Sequence, residues 1–170
     1  WYKAREGVTQ ANYGCAVSHE FARAMVIDGS DGADYLINGP LGALTTRAKT
    51  GWSATRPTLE QGNAILAAID KGLLAGGPGV GSTGGYMREG VSSREMYEVQ
   101  TVGARYGRPT GAHTRYTLGT DTTEVNGAQE LVANALALGA PAIVLHFNNP
   151  GWRVTHQMIT GLQAQGHNIW

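Results

Sequence analysis

The sequence predicts an α/β fold with a parallel sheet, read as part of a (β/α)8 (TIM-type) barrel. Three observations lead there. Short apolar strands alternate with amphipathic helices along the chain. Gly107, Gly139 and Gly166 each close a helix and precede a strand, a repeating helix–glycine–strand unit that belongs to parallel α/β architectures. Two of those strands, residues 109–112 and 141–145, run directly into His113 and His146. The helix predicted over 127–138 lies between them, and a helix between two short strands is a βαβ crossover. Both histidines then fall at the carboxyl edge of the sheet, the edge that carries the active site in barrels. A full barrel takes about 250 residues. This chain has 170, begins at Trp1 without an initiator Met and stops at Trp170 within a nascent strand. The expectation is a single internal slice, residues 1–170, of a larger barrel domain.

Taken in order, residues 11–18 read as a short strand with Cys15 near its end. Residues 19–27 have helical spacing, with Phe21, Ala24 and Met25 on one face. Residues 29–56 are rich in Gly, Thr, Asp and Asn and read as a long loop with a short strand at 35–37; loops of that length tend to be functional. Thr58-Leu59-Glu60-Gln61 is a capping box opening a helix to about Leu74, with Leu59, Leu66, Ile69 and Leu73 facing inward. Ser92-Ser93-Arg94-Glu95 is a second capping box. Its helix runs to Tyr106 with Met96, Val99, Gly103 and Tyr106 as the stripe. The last helix opens at Asn149-Pro150, cap then first turn.

Composition removes several function classes. Lys and Arg total 13 and Asp and Glu total 13, so the formal charge is zero. Nucleic-acid or anionic-membrane partners would call for a basic excess. Hydrophobic residues make up 42% of the chain, yet no apolar run approaches the ~20 residues of a membrane span. A single cysteine allows no internal disulfide. No signal peptide is visible, which sets a cytoplasmic location as the expectation. The pattern Gly79-Val80-Gly81-Ser82-Thr83-Gly84 matches a dinucleotide fingerprint. That fingerprint has meaning only between a strand and a helix that follows at once, and here the next helix starts near Ser93, so a glycine-rich strand and turn is the better reading.

Two imidazoles on one sheet edge are what a catalytic metal centre needs. The alternative for each is a buried, hydrogen-bonded histidine at a strand end. Cys15 is either a small buried hydrophobe or, as a thiolate at a strand end, a third ligand. Arg115 either clamps a substrate carboxylate bidentately or serves as a structural salt-bridge partner. His19, His156 and His167 lie on or beside helices and read as surface or packing residues. The absence of a G-x-S-x-G elbow argues against an α/β-hydrolase. There is also no H-x-H pair, which a binuclear amidohydrolase site needs.

Residues 76–167 resemble the N-acyl-D-amino-acid deacylase (D-aminoacylase) branch of the amidohydrolase superfamily. The matching features follow one order. They are the glycine-rich strand from Gly79 to Tyr86, a Ser-x-x-Glu helix ending in Ala104-Arg105-Tyr106-Gly107, Ala112-His113-Thr114-Arg115, an Ala/Leu helix, and Gly139-Ala140-Pro141 ahead of His146. Gly14-Cys15-Ala16-Val17-Ser18 matches the family's Asn-Cys-Gly pattern more loosely. The resemblance implies a metal-dependent hydrolase barrel, roughly strands 2 to 6, binding one or two zinc ions. Cys15, His113 and His146 would be metal ligands, and Arg115 would contact the substrate, a small-molecule N-acyl amino acid or related amide. The general-base Asp is expected outside these residues, so the 170 residues alone are expected to be inactive. Two departures touch substrate identity: Phe147-Asn148-Asn149 follows His146 without the family's Lys, and Tyr116 follows Arg115 where an Asp is usual. Two alternatives stand beside this reading. One is a cyclic amidohydrolase of hydantoinase or dihydroorotase type, whose bridging Lys finds no strand-end match in Lys3, Lys49 or Lys71. The other is a metal-free α/β binding module. The oligomeric state is not written in the sequence.

Overall fold

The structure, a computed structural model, describes residues 3, 6–10, 14–30, 51–115, 126–146 and 151–170. The strand expected at 35–37, the Asn149-Pro150 cap and the two departures at 116 and 147–149 lie outside the described residues.

Strand β1 (Val17–Ser18) passes straight into helix α1 (His19–Ile27). Ser18 ends the strand and caps the helix: its hydroxyl accepts the Phe21 amide at 3.1 Å, which satisfies one of the first-turn donors. Of the expected Phe21, Ala24 and Met25 stripe, only Ala24 is buried. Met25 is exposed, and α1 also buries His19, Glu20, Ala22 and Arg23. Apolar periodicity cannot find a face whose buried members include His19, Glu20 and Arg23, each partnered by a side chain outside the helix.

Within the stretch read as loop, Gly51–Ala54 forms one helical turn, α2, with Trp52 and Ser53 buried. Helix α3 (Leu59–Leu74) opens with both bonds of the capping box, Gln61 N–H to Thr58 Oγ1 at 3.2 Å and Thr58 N–H to Gln61 Oε1 at 2.9 Å. Its buried residues are Ile65, Ile69 and Leu73, at i, i+4 and i+8, while Leu59 at the first turn is exposed. Strand β2 (Val80–Ser82) leads into a 3-10 turn at Gly84–Tyr86, so the glycine-rich segment is indeed strand and turn. Helix α4 (Ser93–Arg105) is capped by Ser92, whose hydroxyl accepts the Glu95 amide at 3.0 Å. Then come β3 (Thr110–Ala112), α5 (Asn126–Leu138), β4 (Ala142–Val144) and α6 (Trp152–Ala164). Gly107, Gly139 and Gly166 follow their helices with φ of 61°, 59° and 87°, the left-handed C′ geometry that favours glycine. Helix α6 has Gly151 at its cap, with φ 80°.

The four strands form one sheet in the order β1-β2-β3-β4, every neighbouring pair parallel. Val17, Val80, Thr110 and Ala142 share a row, as do Ser18, Gly81, Gly111 and Ile143. Alternation gives the first row to the helices: Val80 packs with Ile65 and Ile69 of α3 and Val99 of α4, and Ala142 with Leu131 and Ala135 of α5. The residues before Trp170 lie along β4. A parallel bridge joins Ala142 to Ile169, and Trp170 N–H donates to Ala142 O at 2.8 Å, so the nascent strand read from the sequence does extend the sheet.

Candidate metal and catalytic site

His113 is the first residue beyond β3 and is 6% exposed. Its main chain is held on both sides: the His113 N–H donates to Ser82 O at 2.9 Å, and His113 O accepts the Gly85 N–H at 3.0 Å. The Tyr86 ring meets the imidazole edge-on, centroids 4.6 Å apart at 81°. Gly85 lies so close that an added Cβ would stand 2.7 Å from His113 Nε2; a side chain there would displace the ring. His146, two residues past β4, is exposed and has φ 59°. The preceding Leu145 N–H still follows the ladder, donating to Ala112 O at 3.0 Å. The two imidazoles are neighbours, centroids 4.7 Å apart at 71°. The structure thus brings together the pair that the sequence placed on one edge.

It does not bring Cys15 to them. β1 begins at Val17, so Cys15 precedes the strand instead of ending it. Val17 shares a row with Thr110, which puts Cys15 two residues before that row and His113 three after it. Five residues of strand correspond to about 16 Å along the sheet. Gly14, beside it, rests against the Pro78 ring at the amino edge. The strand switches to helix at Ser18 because Ser18 is the cap, and the residue that stands at the carboxyl edge is His19.

Arg115 is occupied within the protein. Its Nε donates to Glu130 Oε2 at 3.0 Å and its Nη2 to Glu130 Oε1; Nη1 donates to Val91 O at 2.7 Å, and Nη2 also reaches Ser93 Oγ at 3.0 Å. Every guanidinium nitrogen has an internal acceptor, so the geometry supports the salt-bridge reading over the carboxylate clamp. This pair ties the segment after β3 to α4 and α5.

His19, read from the sequence as surface or packing, is fully buried at 0% exposure. Its Nδ1 lies 3.0 Å from Ser82 Oγ and its Nε2 3.0 Å from Glu95 Oε1. Glu95 Oε1 also accepts from Arg23 Nη1 at 2.5 Å, and Arg23 donates onward to the Trp52 and Thr55 carbonyls. Glu95 Oε2 has no partner among the described residues. Burial pushes the Glu95 carboxyl up, but the His19 hydrogen bond and charge, then the Arg23 guanidinium, outweigh it and hold it below the usual carboxylate value. One signal could have found His19: Ser18 as a cap makes it a third histidine immediately after a strand. His156 and His167 are exposed, as read.

No protein-family model and no curated protein matches this chain. Solved structures do. A D-aminoacylase variant in complex with copper chloride is 20% identical with a TM-score of 0.67, over 98% of this chain and 31% of that one. In its fold the chain is similar to the D-aminoacylases. A second D-aminoacylase, described as defining a subset of amidohydrolases, is 21% identical with a TM-score of 0.56, covering 69% of this chain and 25% of its own. N-acyl-D-glutamate deacylase from Bordetella bronchiseptica, complexed with zinc and a phosphonate mimic of the tetrahedral intermediate, is 20% identical at 0.57, over 69% and 26%. The chain therefore spans between a quarter and a third of the length of these D-aminoacylase structures.

Zinc was seen in one of those structures and copper in another, and both metals accept imidazole ligands. In this chain the adjacent His113 and His146 rings present two imidazoles at one sheet edge. A catalytic zinc takes about three protein ligands, and among the described residues no group of three His, Cys, Asp or Glu could hold a metal. The two histidines are a partial donor set. Among the same residues, no helix is long and apolar enough to cross a membrane.

Proposed function

We propose that this chain is part of the (β/α)8 barrel of a zinc-dependent amidohydrolase, roughly strands 2 to 6, and that His113 and His146 are two of its metal ligands. The observation that carries the reading is the imidazole pair, 4.7 Å apart at the carboxyl edge of a parallel sheet. The fold likeness to D-aminoacylases supports it and favours a linear amide, most simply an N-acyl-D-amino acid, as substrate. Bound zinc polarises an amide carbonyl and lowers the pKa of coordinated water towards ~7. The chain's own residues act around that chemistry. His113 and His146 would hold the ion through imidazole nitrogens. The glycine at 85 lets the backbone pass beside His113 Nε2, and the Tyr86 ring meets the His113 imidazole edge-on. The Arg115–Glu130 pair braces the segment that carries His113. Cys15 is left out of the ligand set because its register sets it at the far edge, and Arg115 is assigned a bracing role.

The test is zinc content and turnover of the intact protein. Purified enzyme should carry zinc and release free D-amino acids from an N-acyl-D-amino-acid panel, while hydantoins and dihydroorotate remain untouched. Cleavage of the cyclic amides alone would move the protein to the cyclic-amidohydrolase reading. Absence of zinc together with absence of hydrolysis would leave a binding module with two edge histidines.

A further inference from the structure

We infer that His19 and Glu20 are positioning residues for His113, acting through the segment 82–86; as applied to metal binding, this rests on the function proposed above. The segment supplies most of what holds His113. Ser82 O accepts its amide, and the Gly85 amide donates to its carbonyl. Gly85 abuts its Nε2, and Tyr86 meets its ring. The segment's own turn is made by main-chain bonds, Tyr86 N–H to Thr83 O at 2.9 Å and Met87 N–H to Gly84 O at 3.1 Å. It contains two adjacent glycines, and the 3-10 turn at Gly84–Tyr86 has no side-chain cap. Glycine costs more conformational entropy to order than any other residue.

Helix α1 adds side-chain anchors to that backbone. Two consecutive residues at the start of that helix grip two consecutive residues at the end of β2: His19 Nδ1 meets Ser82 Oγ at 3.0 Å, and Glu20 Oε2 accepts from Thr83 Oγ1 at 2.5 Å. His19 is in turn set by Glu95, and Glu95 by Arg23. His19, Arg23, Glu95 and Ser82 are all at least 95% buried. Burying such groups is costly unless each is hydrogen-bonded, and here they form one connected network. Arg23 donates to the Trp52 and Thr55 carbonyls and to Glu95 Oε1, His19 meets the same Glu95 oxygen, and His19 reaches the hydroxyl of Ser82, whose main-chain oxygen receives the His113 amide. Groups behind a metal ligand commonly set its orientation, and their loss costs ~10–100-fold in metal affinity.

The test uses the intact protein with Ser82→Ala, the Ser82→Ala/Thr83→Val pair, and His19→Gln as the conservative variant that keeps an amide for hydrogen bonding. Two quantities are read. Without metal, the His113 imidazole proton resonances report its edge-on contacts with Tyr86 and His146. With metal, competition against a chelator gives the zinc dissociation constant. Expected are His113 shifts that move towards free-histidine values and a zinc dissociation constant raised about tenfold or more in the hydroxyl-deleting variants. His19→Gln should lie between these and the parent. Unchanged His113 resonances and unchanged zinc affinity in a folded Ser82→Ala protein would overturn the inference and leave the network as a fold-stabilising contact only. If the paired variant does not fold, Ser82→Ala, which deletes one oxygen, decides. If the parent protein binds no zinc, the proposed function fails, while the metal-free resonances still decide whether His19 and Glu20 position His113.

Discussion

His113 and His146 stand at equivalent strand ends but in different surroundings, and substitution should separate them. His146 is exposed, so His146→Ala should abolish most zinc binding and turnover with little change in the melting temperature of the metal-free protein. His113 is buried between Tyr86 and His146, so His113→Ala should lose the metal and also lower the melting temperature by several degrees, as expected of a cost of ~1–2 kcal/mol. Equal zinc stoichiometry in both variants and the parent would remove them as ligands. Glu95 makes a pH prediction. Its folded carboxyl titrates below the ordinary 4.5, so the folded state binds fewer protons than the unfolded one through that window. Its contribution is complete above about pH 4.5 and is lost as pH falls through the lower folded value. Melting temperatures between pH 6 and pH 3 should fall more steeply for the parent than for Glu95→Gln; parallel curves would show that this carboxyl does not drive the acid sensitivity. The two edge histidines were legible because a strand followed by a histidine is a local pattern. His19 follows the same pattern, but the helix beginning at that residue masked it, and its partners Ser82 and Glu95 lie 63 and 76 positions away. Arg115 had two readings, and only the position of Glu130 across the α5 face decides between them.

Two helices open with the same sequence signature and use it differently. In α3, Gln61 returns to the Thr58 amide, completing the box on an exposed turn. In α4, Ser92 caps the Glu95 amide, but the Glu95 carboxylate turns inward to His19 and Arg23. Matching substitutions should therefore differ sharply. Gln61→Ala should cost a few tenths to about 1 kcal/mol, as a surface cap does. Glu95→Ala should cost ~3–5 kcal/mol, because it leaves the Arg23 guanidinium buried without its partner. Urea unfolding midpoints measure both, and similar losses would mean that Glu95 acts only as a cap. Helix starts and glycine stops were readable because capping is decided within four residues. The turn α2 was not, since four residues carry no periodicity and the burial of Trp52 depends on elements distant in sequence.

At the scale of the whole chain, alternation of strand and helix was enough to specify a parallel sheet in sequential order. At about a fifth identity to the solved structures, the fold is still similar. Metal binding should be visible globally as well. The proposed ligands sit on neighbouring strands β3 and β4, so zinc at 100 times its dissociation constant should stabilise the intact protein by ~2.7 kcal/mol. A melting temperature indifferent to zinc and to chelator would count against the site. The direction of the strands has one more consequence. Helices α1, α4, α5 and α6 each follow a strand, and each must start near the edge where that strand ends in order to return the chain for the next parallel strand. Their peptide dipoles therefore point positive ends, equivalent to roughly half a charge each, towards the side of the sheet that carries His113 and His146. A chain of zero formal charge is in this way electrically one-sided. The bias favours anions, carboxylate or hydroxide alike, and because it resides in the backbone no side-chain substitution removes it.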